Sequence, residues 1–119
     1  MNSGDEATVL WRPTRPEELD LIRESGWRKW PPLSPDRPWF YPFLDEDSAI
    51  LISRNWRYDR PDQGVSYVTR FQVEQAFLSH YSTRTFGGST TPMLWVPSED
   101  LDEFNSHIVG PIEVVHEFR

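Results

Sequence analysis

The spacing of apolar positions changes several times along the chain, and each change predicts a new element. Ala7-Thr8-Val9-Leu10-Trp11 is a short run of β-favouring residues, so it predicts an opening strand; the acidic stretch 1–6 before it is expected to be a disordered tail. Thr14 stands three residues before Glu17, with Pro16 and Glu18 in the first turn and Leu19 and Ile22 at helical spacing. A capping box and a helix over about residues 15–25 follow, with Gly26 supplying the left-handed stop. Asp45-Glu46-Asp47 precedes Ala49, Leu51, Ile52 and Trp56, placing carboxylates where a helix dipole is positive. A second helix is expected over about residues 46–56. Val65 to Phe71 alternates as a strand, and Val73, Ala76, Phe77 and Tyr81 keep one face of a third helix ending near His80.

Between the first two helices, residues 27–42 interleave Pro31, Pro32, Pro35, Pro38 and Pro42 with Trp27, Trp30, Trp39, Phe40 and Tyr41. Proline excludes a regular helix, while the rings predict an ordered loop pressed on the core, leading into an edge strand near 38–43. Residues 57–64 are a polar surface loop, 83–86 a short strand, 87–91 a turn and 93–96 a buried strand. Ser98 is placed to cap a short acidic helix through Asn105, Gly110-Pro111 to break the chain, and 112–118 to form the last strand. Such interleaving predicts a mixed α+β fold: one or two small, mainly antiparallel sheets with three to four short helices, in a single domain over 7–119.

Composition narrows the function classes. Six Trp, four Tyr and seven Phe are enough rings to build a real core. A net charge of −7 repels phosphate backbones, so no nucleic-acid partner is expected, and the acidic surface suits a basic protein partner or simple solubility. Without cysteine there is no disulfide, thiol nucleophile or Cys-ligated metal. No apolar run is long enough for a signal or a membrane span, and a cytoplasmic location is expected.

His80, His107 and His116 lack metal-ligand spacing, so no metal is expected. His116 shares a strand face with Ile112, Val114 and Phe118 and is expected to be a hydrogen-bonded core histidine. No serine lies in a Gly-x-Ser-x-Gly elbow, and Gly87-Gly88-Ser89-Thr90-Thr91 lacks the Gly-Lys-Ser/Thr of a phosphate loop. What remains is an aromatic and arginine set: Trp11 and Arg12 on the first strand, Tyr41 in the Trp39-Phe40-Tyr41 run, and Trp95. These could line a cleft that stacks a planar ring and pairs an anion; the alternative is that the rings fill the core.

Leu10-Trp11-Arg12-Pro13, Pro16-Glu17-Glu18-Leu19, Ser25-Gly26-Trp27-Arg28, Pro31-Pro32, Phe40-Tyr41-Pro42, Tyr67-Val68-Thr69-Arg70-Phe71, Leu94-Trp95-Val96-Pro97 and Phe104 to Ile112 follow one another in order. Together they resemble a group of small bacterial proteins labelled ADP-ribosylation/crystallin J1, over nearly the whole chain. The resemblance implies a minimal ADP-ribosyltransferase-like fold whose two sheets form a cleft for NAD. On that resemblance Arg12 would hold the ribose or phosphates, and Tyr41 would stack the nicotinamide. It also implies an acidic residue just before the Leu-Trp-Val-Pro word, where this chain has Met93. Two functions are therefore expected to compete. One is a protein binding NAD or a related nucleotide through Trp11, Arg12, Tyr41 and Trp95, catalytically degenerate unless Glu113 or Glu117 replaces the missing carboxylate. The other is a non-enzymatic acidic module that binds a protein, as an immunity or regulatory partner.

Overall fold

A computed structural model describes residues 6–33, 38–59, 65–79, 81, 83–85 and 92–118. In chain order its elements are β1 (Ala7–Thr14), α1 (Pro16–Glu24), β2 (Trp39–Phe40), α2 (Glu46–Asp59), β3 (Ser66–Glu74) and α3 (Gln75–Leu78). They continue with β4 (Thr83–Thr85), β5 (Pro92–Leu94), β6 (Val96–Pro97), a 3-10 turn over Ser98–Asp100, α4 (Leu101–Ser106) and β7 (Ile108–Phe118). β3 is the middle strand of an antiparallel sheet ordered β1-β3-β7, while β2 pairs with β6 and β4 with β5, also antiparallel. Phe43 bridges both Trp11 and Met93, so it joins the outer edge of β1 to β5. The fold is mixed α+β with antiparallel sheets and four described helices. None of the described helices is long and apolar enough to cross a membrane.

Strand alternation sends the sheet's apolar residues to two faces. On one face Leu10, Phe71, Val73 and Ile112 meet Ile22 of α1, Phe104 of α4, Phe40 and Val96 of the β2-β6 ribbon, and Trp30 from the loop. On the other, Val68, Phe43 and Met93 meet Ala49 of α2, with Trp11 and Trp95 packed against them. Residues 34–37 of the expected loop lie outside the described residues; its first part, with Trp27, Trp30 and Leu33, is pressed on the core as expected. Trp30 is buried, and the side chain of Asn105 holds its backbone: the Trp30 amide donates to Oδ1 at 2.9 Å and Nδ2 donates to the Trp30 carbonyl at 3.0 Å.

Several local signals act differently from their sequence reading. Thr14 does not cap α1. It is still part of β1, with its hydroxyl 3.0 Å from both the Arg12 carbonyl and the Thr69 hydroxyl; Arg15 is the N-cap position, its side chain does not cap the helix, and Pro16 opens the helix. Gly26 does stop the helix at φ +81, and Trp27 follows it into the left-handed region at φ +66, its amide donating to the Ile22 carbonyl. Val73 belongs to β3 rather than to a helix, because it pairs with Thr8 on one side and Ile108 on the other. α3 is accordingly one turn. The expected strand over 93–96 splits at Trp95: β5 pairs with β4, and β6 with β2. Ser98 opens a 3-10 turn whose N-cap is Pro97, so it is not a helix cap.

Gly110-Pro111 does not break the last strand. Gly110 takes φ +78 where the β3-β7 register shifts, so a bulge absorbs the irregular residues, and Pro111 is tolerated because β7 is an edge strand. A second register shift between Val68 and Thr69 moves the residues after Val114 to the opposite face. Val114 is exposed and Val115 packs inward, while His116, set opposite Val68, meets the start of α2 at the rim of the cluster and is not a core residue. It is half-exposed on β7, with Nε2 2.9 Å from Glu46 Oε2 of α2. The α2 start agrees with its sequence signal: Asp45 Oδ2 accepts the Ser48 amide at 3.1 Å, with Glu46 and Asp47 in the first turn. The Gly87 to Thr91 turn lies outside the described residues.

Candidate functional site

The β2-β6 ribbon separates its side chains by alternation. Phe40 and Val96 point inward and are buried, whereas Trp39 and Tyr41 point outward at 36% and 40% exposure. Trp95 lies between the two outward rings. Its centroid is 5.4 Å from Trp39 in an edge arrangement and 5.7 Å from Tyr41 at a 32° tilt. Register explains the meeting, because Trp39 pairs with Pro97 and Phe40 with Val96, so the next position sets Tyr41 opposite Trp95. Both ends of the ribbon are tied, by the Ser98 amide donating to the Pro38 carbonyl at 2.8 Å and the Leu94 amide to the Pro42 carbonyl at 2.9 Å. Trp11 packs, like Trp95, against the cluster of Phe43, Ala49, Val68 and Met93. Its buried Nε1 meets no hydrogen-bond partner among the described residues.

Arg12 is elsewhere. One step along β1 from Trp11, it points to the opposite face, where its guanidinium lies 4.6 Å over Phe40 and 5.5 Å over Trp30. Glu18 of α1 fills its fork: Nε donates to Oε1 at 3.3 Å and Nη2 to Oε2 at 3.1 Å, with the two side chains only 12% and 18% exposed. Of the four residues expected to share a cleft, the structure therefore groups Tyr41 with Trp95, sets Trp11 against the same apolar cluster as Trp95, and separates Arg12. Met93, at the position where a carboxylate was expected, is buried in that cluster at 1% exposure.

A groove of about 560 Å³ opens between α3 and α4, lined by Glu74, Ala76, Phe77, Tyr81, Asp100, Glu103 and His107. His107 stacks on Phe77 at 4.0 Å and 11°, and its Nδ1 is 2.6 Å from Glu74 Oε1. Tyr81 meets the edge of Phe77 at 5.4 Å and donates its hydroxyl to Asp100 Oδ2 at 3.2 Å. Burial pushes the Tyr81 phenol up to about 12; the negative charge of Asp100, their hydrogen bond and the charge of Glu103 add to the shift. No group of His, Asp and Glu among the described residues could hold a metal ion.

The sequence signals for these features were partial. Trp39 stands two residues before Tyr41, so ribbon alternation alone would have put both rings on one face. The groove joins residues from 74 to 107, and only the chain path through α3 and α4 brings them together. No protein-family model matches the chain, and no curated protein matches it, so function is read from the geometry alone.

Proposed function

We propose that the chain is a non-enzymatic binding module that docks a basic protein through the outer face of the β2-β6 ribbon. The observation that carries this reading is the ring set of exposed Trp39 and Tyr41 with the half-buried Trp95 between them, mounted on a ribbon whose inner residues are locked in the core. Tyrosine and tryptophan are the usual anchors of protein interfaces, since they bring large apolar area at little cost in rotamer freedom. A net charge of −7 favours a partner of opposite sign and speeds its approach.

The competing reading, NAD or a related nucleotide held by Trp11, Arg12, Tyr41 and Trp95, asks for an arginine free beside the stacking rings. Arg12 instead lies over Phe40 on the inner side of the ribbon with its fork taken by Glu18. Met93 offers no charge to stabilise a developing cation.

The test is biosensor titration of the chain and of its Trp39→Ala/Tyr41→Ala variant against a defined panel of basic proteins, with NAD and ADP-ribose run in parallel. Salt-sensitive binding of a basic protein is expected, weakened about tenfold or more in the variant because ring anchors dominate such interfaces. Unchanged affinity in the variant, saturable NAD binding or nicotinamide release by the unmodified chain would overturn the reading.

A further inference from the structure

We infer that the groove between α3 and α4 is a binding site for a small organic cation, a guanidinium or alkylammonium group held against the Tyr81 and His107 rings by Glu74, Asp100 and Glu103. This goes beyond the protein-binding reading and does not depend on it, since Trp39, Tyr41 and Trp95 do not line the groove.

Size, ring geometry and charge point the same way. About 560 Å³ falls inside the roughly 300–1,000 Å³ common to small-molecule sites. His107, stacked over the buried Phe77, and Tyr81, set at 67° to Phe77, form a corner rather than a flat wall, so a compact ligand meets the His107 and Tyr81 rings on two sides. The charged side chains of the described lining are three carboxylates and His107, with no Lys or Arg. Even when protonated, His107 is matched by Glu74, and Asp100 with Glu103 leaves the groove net negative. An anionic ligand would be repelled. A cation gains Coulomb attraction and the attraction of ring faces for positive charge.

The walls are held in place before any ligand arrives. The hydrogen bonds of Glu74 to His107 and of Asp100 to Tyr81 each engage one oxygen of the carboxylate while fixing the ring it touches. The Glu74 amide also donates to the His107 carbonyl at 3.1 Å, tying the end of β3 to the end of α4. The spread of the carboxylates over separate elements suits an extended, delocalised cation better than a metal ion, and they form no metal-binding group among the described residues. Burial is the larger cause of the upward shift of the Tyr81 phenol, and the negative charges of Asp100 and Glu103 add to it.

The test is an NMR titration with butylguanidinium and, in parallel, with butylurea, its uncharged counterpart of the same shape, following the His107 imidazole and Phe77 ring signals. Saturable shifts with butylguanidinium, absent with butylurea and weakened by added salt, are expected. An Asp100→Asn/Glu103→Gln variant, altered only at partly exposed or exposed positions, should bind at least about threefold more weakly, the scale of partly screened charge pairs. The Trp39→Ala/Tyr41→Ala variant should bind as well as the unmodified chain, so failure of the ribbon reading leaves this one standing. Equal shifts with butylurea, no saturable shift with butylguanidinium, or unchanged affinity in the carboxylate variant would overturn the inference.

Discussion

Replacing Arg12 by methionine keeps an unbranched stem but removes the guanidinium that lies over Phe40 and Trp30, and so tests whether this arginine is a structural clamp rather than a ligand-binding group. In the structure the fork makes two hydrogen bonds to Glu18 and stands over two rings. Fully exposed ion pairs contribute about 0.2–1 kcal/mol, whereas breaking a buried pair costs about 3–5 kcal/mol. At 12% and 18% exposure this pair lies between those limits. Loss of the cation over the rings adds about 0.5–1 kcal/mol, and the Glu18 carboxylate left behind keeps some favourable interaction with the first turn of α1, so the net expectation is roughly 2 kcal/mol. With an unfolding entropy near 2.1 cal/mol/K per residue, that lowers Tm by about 8 °C in a chain of this length. Urea and thermal unfolding followed by tryptophan fluorescence measure it. Glu18→Gln and the double variant complete a cycle, in which a coupling of about 1 kcal/mol or more is expected. A loss below about 0.5 kcal/mol for Arg12→Met, or a coupling near zero, would refute the clamp and return Arg12 to the surface as a binding group.

Asn105→Ala removes both bonds to the Trp30 backbone and should cost about 2–3 kcal/mol by urea unfolding, with an unchanged midpoint refuting the loop anchor. Met93→Glu should destabilise by about 3 kcal/mol or more and release no nicotinamide from NAD, because a carboxylate among Phe43, Ala49 and Val68 must be desolvated or neutralised; a stable variant that turns over NAD would contradict this. Phenolate absorbance should show one of the four tyrosines titrating near pH 12 instead of 10, and Asp100→Asn should bring it down. Because the folded value is raised, the Tyr81 contribution to stability is complete below pH 10 and is lost between pH 10 and 12; a fall in stability over that window that Asp100→Asn leaves unaltered would count against the assignment.

Residues whose meaning is local were legible from the sequence alone. Asp45 through Asp47 starts α2, Gly26 ends α1, and the rings after α1 forecast a loop pressed on the core, as Trp30 is, because capping groups, left-handed glycine and proline act within a few residues of themselves. The mixed α+β class followed from the alternation of such signals. Tertiary structure decided everything that depends on pairing. β3 extends through Val73 because partners lie on both sides, Thr14 serves the sheet rather than the helix, and β7 crosses Gly110-Pro111 through a bulge that local propensity would read as a stop. The same holds for the sites. That Arg12 cannot stand beside Trp11 follows from strand alternation once β1 is known to run to Thr14, but its closure by Glu18 needs the packing of α1 on the sheet. Glu74, Tyr81, Asp100 and His107 carry no shared spacing, and they became one groove only because β3, α3 and α4 converge, a property of the chain path that short-range sequence signals do not encode.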